Sequence, residues 1–245
     1  MPQKKQKFPL TPAICTAVGF CILTSLGIWQ IQRLEWKNTI LNTIDRQLEK
    51  DPSETNLSRP EILQSSNAEY PFLRGTISGR FFFFFRVIFL GPRPDDGKIM
   101  FLPILPFQTV DGVMVYTALG KGRDDKTIEK AIQNADWTSI RTIKGYFKED
   151  AFDNPFVPRN SFQKNRWYRA DIQQMARFYG LEKSESAPLL FYVEQPVLED
   201  KVLNPLKPEF DIRNDHFQYA MFWFSIAVIL VIMFYLRFIR EKTLE

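Results

Sequence analysis

The chain has 245 residues, of which 24% are charged and 45% are hydrophobic, with a formal net charge of +4. This balance excludes a disordered acidic chain and the strongly basic surface of a nucleic-acid-binding protein. One histidine and two cysteines also exclude a metal site built from several imidazoles or thiolates, and a disulfide framework. Cys15 and Cys21 are predicted to be buried thiols on different faces of a helix, too far apart to bridge.

Two uncharged apolar windows lie near the two ends of the chain. Each is long enough to cross about 30 Å of hydrocarbon as an α-helix. We assign the first transmembrane helix to residues 10–32 and the second to residues 216–237. Residues 1–9 and 238–245 are then short tails on the same side of the lipid bilayer.

The first window lacks the features of a cleaved signal peptide, although Lys4, Lys5 and Lys7 give it a basic start. No small-x-small cleavage site follows it, and a charged helical run begins at Arg33, so we expect an uncleaved anchor. Basic residues at both chain ends favour cytoplasmic termini and a periplasmic central domain. Because no long Arg- and Ser-rich presequence precedes the window, a bacterial inner membrane fits better than mitochondrial import.

The region between the windows has the pattern of a helical extension followed by a β-rich domain. Apolar residues keep a helical spacing from Ile40 to Leu48, before a break at Asp51, so residues 33–50 are predicted to extend the first helix. Residues 51–215 are predicted to form the extracytoplasmic domain. The expected fold class is an α+β membrane protein, in which two transmembrane helices flank a mainly antiparallel β domain with a few short helices.

Within this domain, runs of high β propensity alternate with turn signals. Asp111 and Gly112 give the strongest hairpin signal of the chain. Residues 172–179 carry one apolar helical face, closed by Gly180. The five Phe residues at 81–85 are interpreted as part of a core strand covered on both faces, rather than as a segment that dips into the membrane. We expect strands at 70–80, 81–90, 100–110, 113–119, 138–147 and 189–194, and a loop at 91–97.

Side chains that enzymes use for catalysis are sparse in this sequence. A Ser–His–Asp or Cys–His arrangement would need His216 as its base, and no nucleophile motif lies near that residue. The sequence has no Gly-rich phosphate loop, no His-containing metal motif and no Cys pair at ligand spacing. We therefore predict that the protein is not an enzyme.

Two clusters of aromatic, cationic and small residues lie at the predicted membrane boundaries. On a helix, Trp29, Arg33 and Trp36 share one face, and Lys37 lies beside it. The members of the second cluster fall at i, i+3, i+4 and i+7 of the second span, which places them in one stripe. They are His216, Tyr219, Ala220 and Trp223.

These clusters have two interpretations. In the first, Trp and Tyr form the aromatic belt of a membrane protein, while Arg and Lys reach towards lipid head groups. In the second, the neutral imidazole of His216 is an axial ligand of haem iron, and Arg33 and Lys37 receive the haem propionates. The small Gly27 and Ala220 are then expected to let the macrocycle approach. The candidate haem-binding residues are His216, Arg33, Trp29, Trp36, Lys37, Tyr219 and Trp223, with His216 as the iron ligand.

Five short motifs follow one another along the chain: Gly27-x-Trp29-Gln30-x-x-Arg33-x-x-Trp36-Lys37, Tyr70-x-x-x-x-Gly75, Phe156-x-Pro158-x-Asn160, Asn165-Arg166-Trp167-Tyr168 followed by Asp171, and Asn214-x-His216-x-x-Tyr219-Ala220-x-x-Trp223-Phe224. Each is weak alone. In this order, between two spans, the sequence resembles the Surfeit-locus protein family of cytochrome oxidase assembly factors over nearly its whole length. One segment, Tyr116 to Gly120, departs from an Asn-Arg-Gly-Trp-like run that is usual in the family, and we assign no site residue there.

The resemblance implies a role in maturation of the catalytic subunit of haem–copper (cytochrome c) oxidase, and bacterial members of the family are associated with haem a. The family's haem-linked histidine falls on His216. We therefore expect the protein to bind haem a transiently at the outer face of the membrane. It would receive haem a from the haem a synthase and release it into the oxidase subunit. The expected partners are these two proteins and the lipid bilayer, with no nucleic acid.

A second class of function stays open. The protein would then be a non-catalytic scaffold or chaperone that holds the nascent oxidase subunit, with His216 engaged only in a hydrogen bond. A third interpretation, copper delivery, is disfavoured because the sequence has no cluster of thiolates or imidazoles to hold the ion.

Overall fold

The computed structural model describes residues 9–67, 71–82, 86–150, 157–163, 165–198, 202–208 and 214–240, which leaves most of the two predicted tails outside these ranges. The chain divides into a helical unit, residues 1–43 with 211–245, and a β-rich unit, residues 44–210. The helices are α1 (Leu10–Glu49), α2 (Arg59–Leu63), α3 (Asp125–Asn134), α4 (Ile172–Tyr179) and α5 (His216–Tyr235), with a 3₁₀ turn at Pro52–Glu54 and a π-helical turn at Leu236–Arg240. The strands are β1 (Phe72–Phe81), β2 (Ile88–Asp95), β3 (Lys98–Thr109), β4 (Met114–Ala118), β5 (Arg141–Lys148) and β6 (Leu190–Val193).

The helical unit consists of α5 and most of α1, which run antiparallel. Gly19 lies against Leu230 and Gly27 lies against Phe224, so the contacts follow opposite orders along the two helices. A Cβ atom at Gly27 would lie 2.6 Å from the Phe224 ring, which leaves room for glycine alone. Ala220 is also buried. Small residues therefore let the two helices approach each other closely.

Both helices are long and apolar enough to cross a membrane, and most of their apolar side chains are exposed. Only 11% of the most apolar window of α1 and 6% of that of α5 are buried within the protein. Cys15 and Cys21 are exposed as well, so the prediction of buried thiols is wrong. The physical reason is that hydrocarbon covers the apolar surface of a membrane span, so an apolar sequence there does not require burial in protein.

The β-rich unit is built on one sheet with strand order β1-β5-β6-β4-β3-β2. Because β1 also pairs with β3, five strands close into a barrel and β2 extends it at one side. Neighbouring strands are antiparallel except for β4 and β6. This arrangement confirms a mainly antiparallel β domain between two membrane-compatible helices.

Alternate residues along the strands enter two apolar clusters. On β3, Leu105 and Phe107 belong to the first cluster and Ile104 to the second. On β4, Val115 belongs to the first cluster and Tyr116 to the second. Helix α3 packs into the first cluster and α4 into the second, so each helix covers a different face of the sheet.

The sequence-based boundaries around β2 are wrong in part. Strand β2 begins later than the predicted strand 81–90 and continues through most of the predicted loop 91–97, so that only residues 96–97 form a turn. Its pairing with β3 shifts register between Leu90 and Arg93. A bulge there accommodates Gly91 and Pro92. Proline has no backbone N–H to donate, so Pro92 is tolerated where the regular ladder is interrupted.

The run of five Phe residues is described only at its start. Phe81 is buried, and the centre of its ring lies 4.9 Å from that of Phe107 and 4.8 Å from that of Trp137. Phe82 is half-buried. Residues 83–85 lie outside the described part of the chain, so the core interpretation of the whole run stays a prediction.

Local sequence signals account well for two other elements. The hairpin between β3 and β4 turns at Gly112, which has φ +84°, and α4 ends at Gly180 in the left-handed conformation, with φ +69°. Both predictions are confirmed. Helix α3 was not predicted, although Asp124 caps its N-terminus and Ile128 and Ile132 give it a buried face.

Candidate functional site

The imidazole of His216, the first residue of α5, is held by the side chain of Gln30 on α1. Its Nδ1 atom lies 2.7 Å from Oε1 of Gln30, which is buried with 9% of its surface exposed. Because an amide oxygen can only accept, Nδ1 donates, and the neutral ring carries its proton on that atom. The Nε2 atom then has the free lone pair, and the described residues supply no hydrogen-bond partner for it. The ring as a whole is half-exposed.

Gln30 is a residue of this site that the sequence analysis did not assign, although it lies within the first motif. A buried amide in an apolar helix loses its contact with water and must find a partner in the protein. This rule identifies Gln30 as a residue in need of a partner. It does not say which residue, 186 positions further along the chain, supplies that partner.

A second polar contact joins the same two helices. Nδ2 of Asn214, just before α5, donates to Oδ1 of Asn38 at 2.9 Å. Asn38 lies eight residues after Gln30, which is about 12 Å along the axis of α1. Two side-chain hydrogen bonds at this spacing fix the register of α5 against α1, and with it the position of His216.

The cationic candidates of α1 lie near this imidazole. The positive charges of Lys37 and Arg33 act on His216, against the single negative charge of Asp215. The guanidinium carbon of Arg33 lies 3.5 Å from the centre of the Trp36 ring, a close cation–π contact. Arg33 is exposed, while Trp36 and Lys37 are half-exposed. This face therefore combines positive charge with an accessible imidazole nitrogen, a setting that favours an anionic group nearby.

The remaining candidates have different surroundings. Trp29 and Tyr219 are 53% and 55% exposed, and Trp223 is half-buried. Such exposure is compatible with an aromatic belt and with packing against a ligand, so their role in haem binding stays a prediction. The expectation that Gly27 and Ala220 admit a macrocycle is wrong, because both are buried and a Phe ring occupies the space next to Gly27.

The motif residues of the β-rich unit have structural roles. The side chain of Asn160 accepts hydrogen bonds from two backbone N–H groups and donates one to the carbonyl of Arg169. Trp167 is fully buried, and its indole N–H donates to Asn165. Asp171 caps α4. Two further motif residues, Tyr70 and Phe156, lie outside the residues that the structure describes.

The segment that departs from the family pattern belongs to the core of the sheet. All five residues from Tyr116 to Gly120 are buried. The hydroxyl of Thr117 donates to the carbonyl of Leu105 on the neighbouring strand, at 2.8 Å. These contacts give the segment a packing role in the sheet.

Comparison with known proteins identifies the family. A family model described as the SURF1 family matches residues 17–228. The chain is 26% identical over 229 residues to a SURF1-like protein of Rickettsia felis, covering 89% of this chain and 92% of that protein. It is 24% identical over 260 residues to a SURF1-like protein of Dictyostelium discoideum, covering 90% of this chain and 93% of that protein. It is 22% identical over 239 residues to Surfeit locus protein 1 of Mus musculus, covering 88% of this chain and 72% of that protein. The chain therefore belongs to the SURF1 family, a family of cytochrome oxidase assembly factors.

Proposed function

We propose that this protein binds haem a transiently through His216 and helps to insert it into the catalytic subunit of haem–copper oxidase. The observation that carries this proposal is the hydrogen bond from Nδ1 of His216 to Gln30. Metal-binding histidines commonly donate a hydrogen bond from the N–H of their second ring nitrogen to a fixed acceptor. This hydrogen bond orients the ring and selects the tautomer. Here that tautomer leaves Nε2 as the nitrogen able to coordinate iron.

The surroundings of His216 fit a haem with negatively charged propionates. Arg33 and Lys37 supply positive charge within range of the imidazole, and Trp36 offers an aromatic ring beside Arg33. When haem is bound, its iron supplies an open coordination position for the Nε2 lone pair. The chain's own residues orient the imidazole and balance the charge of the propionates.

Gln30 also suits a carrier that must release its cargo. A carboxylate partner would make the imidazole a stronger base and a tighter ligand. A neutral amide fixes the orientation of the ring with less effect on its basicity. A single histidine with such a partner therefore favours moderate affinity and transfer to a site with stronger ligation.

We further propose that the protein lies in the bacterial inner membrane with its β-rich unit in the periplasm. The haem a synthase is then the proposed donor, and the catalytic subunit of the oxidase is the acceptor. Two helices able to cross a membrane and relatives in Rickettsia support this placement.

The test is the visible spectrum of detergent-purified protein co-expressed with a source of haem a. We expect a haem spectrum that is lost in His216→Ala and retained in Gln218→Ala, an exposed neighbour on the same helix. Gln30→Leu should lower haem occupancy by about tenfold, because it removes the group that orients the ring. Unchanged haem content in His216→Ala would contradict the proposal.

The alternative is a scaffold that holds the nascent oxidase subunit without haem, and one observation favours it. The His216–Gln30 contact joins α1 to α5, so it also serves the association of the two helices. In that case His216→Asn, which can still donate a hydrogen bond to Gln30, should support oxidase assembly at the wild-type level. Under the haem proposal, His216→Asn abolishes both the spectrum and assembly.

A further inference from the structure

The β-rich unit contains a cleft of about 590 Å³ between α4 and the loop that precedes it. The described residues that line this cleft include three arginines and one acidic residue, namely Arg159, Arg169, Arg177 and Asp171. Its volume lies in the range of sites that hold small organic molecules. None of these side chains belongs to the proposed haem site.

Hydrogen bonds within the protein fix the wall of the cleft. Oδ1 of Asn160 accepts the backbone N–H groups of Tyr168 and Arg169, at 2.8 and 3.0 Å, and Nδ2 donates to Oε1 of Gln174 at 3.1 Å. Nη2 of Arg169 donates to the carbonyl of Val157 at 2.6 Å. The described part of the loop is therefore held in place before any ligand arrives, which lowers the entropic cost of binding.

The acidic residue of the cleft is already engaged. Oδ1 of Asp171 accepts the backbone N–H of Gln174 at 2.9 Å, and Oδ2 accepts the side-chain amide of Gln174 at 2.7 Å. The described residues include no ion pair between Asp171 and an arginine. Asp171 thus has a structural role as the N-cap of α4.

Two of the three arginines carry charge that the described residues do not balance. Arg159 and Arg177 are exposed, and neither forms an ion pair within the described part of the chain. Arg59, Arg74 and Arg93 of the same unit each contact a carboxylate. Among the described residues that line the cleft, three positive charges and one negative charge give a formal charge of +2. Such a concave, positively charged surface concentrates anions.

We propose that this cleft binds a small organic anion that carries carboxylate or phosphate groups. Guanidinium groups bind both kinds of oxyanion with paired hydrogen bonds. The cleft is larger than a single oxyanion, so an organic body is expected as well. Phe162, which is 39% exposed and packs on Trp167 with ring centres 5.1 Å apart, offers an apolar surface for that body.

The proposal is tested by titrating the detergent-purified full-length protein with citrate and, separately, with pyrophosphate at constant ionic strength, followed by isothermal calorimetry. We expect saturable binding of at least one probe at one site per chain. Arg159→Gln and Arg177→Gln should each weaken the Kd by about tenfold, the effect of losing one charge-assisted hydrogen-bonded contact. The probe that binds more tightly identifies the oxyanion class.

The matched control is Arg123→Gln, which removes an exposed arginine outside the cleft. It should bind the probe as the wild type does, and circular dichroism should show that all three variants keep the wild-type fold. The proposal is overturned if neither probe binds saturably. It is equally overturned if Arg123→Gln weakens binding as much as the cleft variants, or if the Arg159→Gln/Arg177→Gln double variant binds normally.

Discussion

The helical and β-rich units use polar side chains in contrasting ways. In the helical unit, neutral hydrogen bonds such as Gln30–His216 join two otherwise apolar helices. In the β-rich unit, charged groups are buried in pairs, such as Arg93 and Asp150 at 2.6 Å. A few polar contacts between lipid-covered helices specify which faces meet. A buried ion pair within a sheet domain instead makes stability depend on both partners being present.

Arg74 illustrates the second case. Its guanidinium contacts both carboxylate oxygens of Glu194, at 2.8 and 2.7 Å, and the carbonyls of Leu48 and Lys50, at 2.8 and 3.0 Å. The hydrogen bonds that Arg74 donates to Glu194 raise the pKa of Arg74 above its usual value. One side chain therefore satisfies carbonyls at the C-terminal end of α1 and links that end to the sheet.

The largest effect that would test this contrast is expected from Arg93→Leu. Burial lowers the pKa of Arg93, and the negative charge of Asp150 opposes this shift. Each buried charge is therefore stabilised by the other. Removing Arg93 leaves a buried carboxylate and should reduce the free energy of unfolding by about 3 kcal/mol. Chemical unfolding of the purified protein, followed by circular dichroism, measures this loss.

The control for that variant is Lys121→Leu, which breaks the more exposed pair with Asp95. It should cost less than about 1 kcal/mol. Equal losses from the two variants would show that burial of the charges does not matter. The double variant Arg93→Leu/Asp150→Leu should regain part of the stability, because neither charge of this pair is then buried without the other.

The next largest effect is expected from Gly27→Val in the helical unit. The new side chain meets the Phe224 ring, and overpacking of this kind costs about 2 kcal/mol. The helices should separate, which cross-linking between cysteines introduced on α1 and α5 can measure. Val18→Leu, at an exposed position of α1, should leave cross-linking unchanged. Phe224→Ala should restore it in the Gly27→Val background, and failure to do so would argue against the observed contact.

A smaller effect is expected from the amide pair of the helical unit. Asn38→Leu and Asn214→Leu each remove one partner of the 2.9 Å hydrogen bond. A double-mutant cycle on helix association should give a coupling energy of about 0.6 kcal/mol, typical of side-chain hydrogen bonds in membrane proteins. Zero coupling would show that this contact does not help to set the register of the helices.

The smallest effect concerns pH and the start of α2. Hydrogen bonds from the side chain and backbone of Ser58 hold the pKa of Glu61 below its usual value of 4.5. The stabilisation is therefore complete above pH 4.5 and is lost as the pH falls through the lowered folded-state pKa. Because Glu61 is exposed, we expect a loss below about 0.5 kcal/mol.

Glu61→Gln keeps a side chain that can accept the backbone N–H of Ser58 but removes the titrating group. We measure the denaturant midpoint as a function of pH across this acidic range. As the pH falls, the midpoint should decrease less steeply for Glu61→Gln than for the wild type. Glu54→Gln, at an exposed carboxylate outside the capping box, should keep the wild-type slope. Identical slopes for all three proteins would exclude the capping contribution.

Elements with strong local signals were predictable from the sequence. The apolar windows of α1 and α5, the turn at Gly112 and the end of α4 at Gly180 each depend on residues close together in the chain. Helix α3 has comparable signals and could have been predicted. The strand at 91–95 could not, because Gly91 and Pro92 favour a loop unless pairing with β3 accommodates them in a bulge.

For the candidate site, the sequence by itself determined that a lone histidine lies at the start of one apolar helix and that a glutamine lies within the other. Only the tertiary structure decided that these two residues meet, at 2.7 Å, and that Gly27 faces a Phe ring in the helix contact rather than an open space. The physical reason is the separation along the sequence of the residues involved. Periodicity and hydropathy follow from neighbours along the chain, whereas the register between helices follows from packing contacts between residues that are far apart in sequence.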